Sequence, residues 1–285
     1  MAEKYRVVRG EYVILGKQPD GDSIRFRAED VNLFKHLPGG GHVKITPADQ
    51  TVQLRFQGID APELHYRGES QPFGRQARDV LLNEMNFGLV TYSGLMVTNV
   101  QREVHGAVLV RQAEQHGRPI SYLLWESDAN GLNDGDMVDV GPDLLKPTIN
   151  HLMLERGMAY PLFYTSMPTE HIQVFRATAK TARDNEIGMW PQDVTKLFEL
   201  VTEESIGPDG QLLFPKLFRR CTDYLHDIDH ENFVGSLTEW MQAHQQNDPV
   251  RVSGAAQVPF SSLIEQQGST VRLKGDPLDM VFVGD

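Results

Sequence analysis

Leu54-Arg55-Phe56-Gln57-Gly58-Ile59-Asp60-Ala61-Pro62-Glu63 is the stretch that decides the fold. Its first part reads as a buried strand and its end as a turn, where Asp caps and Pro fixes φ. Strand and turn together present Arg55, Asp60 and Glu63. An arginine can grip phosphate oxygens in a fork. Carboxylates can hold a hard cation and handle a water. Taken alone, the string also fits an ordinary turn in which Glu63 faces water. A second acidic turn, Asp20-Gly21-Asp22-Ser23, lies one strand earlier and offers a further metal ligand.

Outward from this stretch, Tyr5–Lys17 and Ser23–Arg27 read as strands, and Thr51–Ile59 as the central one. Between them Pro38-Gly39-Gly40-Gly41 reads as a flexible turn; no Lys-Ser or Lys-Thr follows it, as a phosphate loop would require. Pro72 to Asn86 places Phe73, Ala77, Val80, Leu81 and Met85 at helical spacing. Leu89–Trp125 is a mixed run of strands. Ser127–Val140 is an insertion rich in Asp, Asn and Gly, and Leu132 stands where the fifth-position ligand of a calcium-binding loop would be. Thr148 caps a helix that runs to Arg156 and stops at Gly157. Pro168–Glu186 is a helix that buries Ile172, Phe175, Ala179 and Ala182, with Trp190 beyond it.

Five landmarks stand in the order found in the staphylococcal nuclease (thermonuclease) family, and the chain resembles that family from about Tyr5 to Asp193. They are the Asp20–Ser23 turn, the strand ending in Asp60-Ala61-Pro62-Glu63, the helix start at Gln71–Ala77, the segment Ile149–Tyr160, and the helix Thr169–Ile187 followed by Trp190. The resemblance implies an α+β fold, a five-stranded barrel of the oligonucleotide-binding type with three helices. It implies hydrolysis of DNA or RNA with low sequence specificity, dependent on one calcium ion. By that resemblance Asp22, Asp60 and the main-chain carbonyl of Ala61 hold the ion. Arg55 binds the scissile phosphate and Glu63 acts as general base or water orienter. The family's second catalytic arginine has no clear counterpart. Family spacing lands on Ala107, while His116-Gly117-Arg118 is the better local match and Arg102 a further candidate. The alternative reading is a catalytically weakened nuclease-fold module that binds nucleic acid or a protein partner.

Charge bears on that choice. Thirty-nine Asp and Glu against 27 Lys and Arg give a net charge of −12. Nonspecific nucleic-acid binding draws on Lys and Arg displacing the cations condensed on the phosphates, so any binding here is local. The expected substrate is single-stranded or frayed nucleic acid, whose phosphates can enter a narrow pocket. Cys221 is the one cysteine, which excludes an intrachain disulfide and reads as a buried or idle thiol. No long apolar run or secretory signal is visible, which favours a soluble protein of the cytoplasm with no membrane partner.

The expected division is a nuclease-like domain, Met1–Val194, and a small mixed appendage, Leu197–Asp285, that could dock a protein partner. Within the latter, Phe214–Asp227 and Glu231–Gln246 read as helices, Val250–Pro259 as a linker or loop, and 271–273 and 280–283 as short strands. His226, Asp227, Asp229, His230 and Glu231 form the other ligand-rich cluster, with His226 and His230 four apart as zinc would require and ordinary solvated surface as the other reading.

Overall fold

Val52, Leu54 and Phe56 are buried while Gln53 and Arg55 between them are half-buried, the period-two signature of a strand with one face on a core. This strand is one of five: Lys4–Val13 (β1), Ser23–Ala28 (β2), Val52–Phe56 (β3), Val104–Ala113 (β4) and Pro119–Trp125 (β5). They come from a computed structural model that describes residues 4–230 and 232–284. β1 pairs antiparallel with β2 and β4, β2 with β3, and β4 with β5, while β3 and β5 run parallel through Arg55–Ile120 and Phe56–Ser121. The sheet thereby closes into the expected five-stranded barrel, which removes its edges. Tyr12 seals the interior, with its hydroxyl 2.9 Å from the carbonyls of Ala107 and Leu124.

Packing divides the chain into two units, Met1–Gln57 with Arg78–Met153, and Gly58–Ala77 with Leu154–Asp285. The barrel lies in the first. Its Ser127–Val140 insertion is tied to β1: the Arg9 amide donates to Asp134 at 2.7 Å, and the Arg9 guanidinium donates to the carbonyls of Ala129 and Leu132. The glycine turn at 39–41 is pinned rather than loose, because the Ala113 amide donates to the Pro38 carbonyl at 2.9 Å.

In the second unit, Ile59–Asp60 pairs with Tyr160–Pro161. The expected strand Thr51–Ile59 is therefore two pieces. Gly58 breaks it with φ of 81°, and a Cβ there would meet the Phe175 ring at 2.7 Å, so only glycine fits. Among the described residues the α-helices of seven residues or more are Gly74–Glu84 (α1) and Ile149–Glu155 (α2), each with residues in both units, and Thr169–Asp184 (α3), Pro215–Asp229 (α4) and Leu237–Ala243 (α5) in the second. α3 buries Ile172, Phe175, Ala179 and Ala182 as its spacing predicts. Trp190 packs edge-on against Tyr160 at 5.0 Å.

Residues 197–284 pack in this same unit with 154–194. The Val194 amide donates to the Leu212 carbonyl at 3.1 Å, and Tyr160 meets Phe214 at 5.7 Å. Two expectations in this region are corrected. Pro249–Val252 is a strand between Val258–Pro259 and Met280–Phe282, where a linker or loop was expected, because Val250 is buried in the core. α5 starts at Leu237 behind a capping box of Ser236 and Glu239, well after residue 231, and Glu231 lies outside the described residues. Among the described residues no helix is long and apolar enough to cross a membrane.

Candidate active site

The first unit positions Asp22 and Arg55. The Asp20–Ser23 turn holds its own shape, with the Asp22 amide donating to the Asp20 carboxylate at 3.3 Å. It leads into β2, where Ser23 lies opposite Arg55 of β3. The Phe56 amide donates to the Asp22 carbonyl at 3.1 Å, so the backbone itself sets the acidic turn beside the arginine strand.

The second unit positions Asp60, Ala61 and Glu63. Asp60 lies opposite Tyr160 in a two-residue ladder and is 4 % exposed. The Tyr160 hydroxyl donates to Asp193 at 2.8 Å. Burial raises the Asp193 carboxyl above the usual range, against the Thr195 and Tyr160 hydrogen bonds that lower it. Beyond Asp60 the chain turns through Pro62, and Gln71 fixes that turn from three sides. Its side chain accepts from the Glu63 amide at 3.1 Å, its amide donates to the Glu63 carbonyl at 2.8 Å, and its Nε2 donates to the Leu213 carbonyl at 2.7 Å. Gly74 is the other glycine the geometry requires, since a Cβ there would sit 2.4 Å from the Glu63 carbonyl oxygen.

Arg219 of α4 is the residue at this turn that sequence reasoning missed. Its Nη1 donates to Asp60 Oδ1 at 3.1 Å and to Glu63 Oε1, and its Nη2 donates to Asp60 Oδ2 at 3.0 Å. Burial alone would lower its pKa, but the charges of Asp60 and Glu63 outweigh that and raise it well above the ordinary value. α4 reaches this turn because Leu217, Phe218, Cys221 and Leu225 are buried on one side of the helix. Arg219 and Asp223, four apart, share the neighbouring face. Asp223 accepts from the Tyr66 hydroxyl at 2.8 Å and pairs with Arg67 at 2.7 Å. The same helix buries Cys221, and burial pushes its thiol pKa up, which suits an inert side chain.

Chemically, Asp60 and Glu63 converge on one nitrogen of a guanidinium, so the turn is a place built for positive charge. Arg219 pairs with both carboxylates of the turn. Carboxylates and main-chain carbonyls are hard oxygen donors, and the set fits a cation such as calcium. Among the described residues no three His, Cys, Asp or Glu side chains gather as a metal site, so any ion here depends on carbonyl or water oxygens as well. The His226–His230 pair is an aromatic stack at 4.2 Å.

Of the candidates for a second arginine, Arg118 pairs with Glu114 at 3.1 Å and Arg102 donates to Asn86, while Ala107 is fully buried in β4. Arg219 carried one local signal, an arginine on an amphipathic stretch. Nothing in the sequence ties it to residues 156 and 159 positions away.

Residues 53–192 match the family described as staphylococcal nuclease homologue. The chain is 26 % identical over 196 residues to Endonuclease Htp3 of Saprolegnia parasitica, which covers 67 % of this chain and 74 % of that protein. It is 28 % identical over 137 residues to a probable endonuclease of Schizosaccharomyces pombe and spans 51 % of it. It is 28 % identical over 145 residues to the probable endonuclease lcl3 of Pyrenophora tritici-repentis and spans 42 % of it.

Proposed function

We propose that the staphylococcal nuclease domain at residues 53–192 makes this protein a nuclease, which hydrolyses phosphodiester bonds of DNA or RNA with little sequence preference and depends on calcium. The observation that carries this reading is the convergence of Asp60 and Glu63, on a pinned turn, around one positive group. The relatives named as endonucleases agree with it.

In this reading Arg55 donates to the non-bridging oxygens of the scissile phosphate. Glu63 takes a proton from the attacking water as the water oxygen bonds to phosphorus. The P–O ester bond then breaks, and the departing oxygen takes a proton from solvent. Asp60, the Ala61 carbonyl and Asp22 are the residues offered to the cation, which when bound neutralises charge on the phosphate. With a net charge of −12 the protein has no long-range attraction for a polyanion, so turnover is slow and salt-sensitive and favours single-stranded or frayed substrate.

The test is cleavage of plasmid and of a single-stranded oligonucleotide in calcium, repeated in chelator. Cleavage that chelator abolishes supports the reading. No cleavage of any nucleic acid, with retained binding of nucleic acid or a protein, supports instead a decayed nuclease fold, the reading favoured by Ala107 where the family's second arginine is expected.

A further inference from the structure

A phosphodiester site served by one arginine leaves charge developing on phosphorus without a second strong donor, and loss of one such donor typically costs a hundredfold or more in rate. Of the three positions the sequence offers for it, Arg118 and Arg102 hold other partners and Ala107 has no charge to give. Arg219 holds the carboxylates of the turn itself. We propose that Arg219, delivered from helix α4 of the C-terminal region, is the second catalytic arginine of this site and donates to the scissile phosphate. This rests on the phosphodiester hydrolase reading above.

Three observations carry it. First, the guanidinium is oriented by both oxygens of Asp60 and one of Glu63, so it is positioned before substrate arrives. Second, its side chain is 19 % exposed, in contrast to the fully buried Leu217 and Phe218 beside it, and a guanidinium carries five donor hydrogens in a rigid fork. Third, the helix that carries it is fastened to the same turn at separate points, by Tyr66 and Arg67 on Asp223 and by Gln71 on the Leu213 carbonyl ahead of the helix. The other cations on α4, Lys216 and Arg220, are both paired with Asp248 instead. Arg219 exchanges no proton in the reaction: Glu63 still takes the proton of the attacking water, and the guanidinium only balances the added negative charge. A guanidinium bridging the two carboxylates could otherwise be a latch that keeps the site closed, and the two roles predict opposite effects of removing it.

The experiment compares wild type, Arg219→Met and Arg219→Lys in the full chain, each checked for a cooperative thermal transition. Steady-state cleavage of a single-stranded oligonucleotide in calcium is measured with and without added guanidinium ion. The expected result is a kcat at least a hundredfold lower in Arg219→Met. KM should change by less than about threefold, and guanidinium ion should restore part of the rate. An unchanged or higher kcat in folded Arg219→Met overturns the proposal in favour of the latch. If Arg219→Met does not fold, Arg219→Lys takes its place, with a loss of at least tenfold expected and no loss overturning. If wild type cleaves nothing, the hydrolase reading fails by itself. The inference, which rests on that reading, falls with it, whereas an active wild type with an undiminished Arg219→Met overturns the inference alone.

Discussion

Arg55, Asp60 and Glu63 are separated by a few residues, so one strand and one turn suffice to present them and the sequence displays them together. Their roles can be tested singly. Arg55→Ala should lower kcat by about a hundredfold or more, the usual loss for one charge-stabilising donor, with the fold retained, as read by steady-state kinetics beside a melting curve. The proposed cation site can be tested without turnover. By calorimetry, Asp22→Ala should abolish calcium binding. Arg219→Met should strengthen it by about tenfold, roughly 1.4 kcal/mol, because it removes the positive group that shares the Asp60 oxygens. Unchanged affinity in both variants would place the ion elsewhere. Arg219 itself was not legible, because its partners lie 156 and 159 residues earlier and long-range pairing leaves no local pattern.

At the scale of elements, periodicity decided most of what could be read. The alternation in Val52–Phe56 and the helical spacing in Thr169–Asp184 both describe one buried face, and both elements form as expected. Boundaries failed where a single residue overrides the pattern, as Gly58 does to the central strand and Ser236 with Glu239 does to α5. The Asp60–Gln71 turn depends on Gln71, which is 2 % exposed. Gln71→Ala would leave the Glu63 amide and the Leu213 carbonyl without that side chain, so it should cost about 2 kcal/mol in denaturant unfolding. A second test concerns the loop before β3, where Lys17 pairs with Asp49 and Thr51 donates to it. Burial raises the Asp49 carboxyl, but Lys17 and Thr51 outweigh it and hold the pKa at about 2. A carboxyl lowered in the native state stabilises above its unfolded pKa of about 4 and loses that contribution as pH falls towards 2. Asp49→Asn should therefore lower the melting temperature at pH 7 and leave it close to wild type near pH 2.

For the whole molecule, the sequence made the nuclease-like segment visible through five ordered landmarks, yet it left residues 197–285 without a role. In the structure those residues share a unit with the Asp60–Gln71 turn, and α4 holds that turn through Arg219, Asp223 and the preceding Leu213 carbonyl. Such a role is invisible in sequence because it consists of hydrogen bonds between segments far apart in the chain. The acidic balance of −12 is a property of the entire surface and sets how weakly a polyanion is drawn in, while the chemistry is local. In the proposed function Glu63 handles the water in calcium-dependent cleavage of nucleic acid. The most direct measurement is kcat for a single-stranded oligonucleotide in calcium, wild type against Glu63→Gln, which keeps the shape and removes the basic oxygen. The expected result is a loss of about a hundredfold to ten-thousandfold with KM little changed. Equal kcat in the two proteins would contradict it.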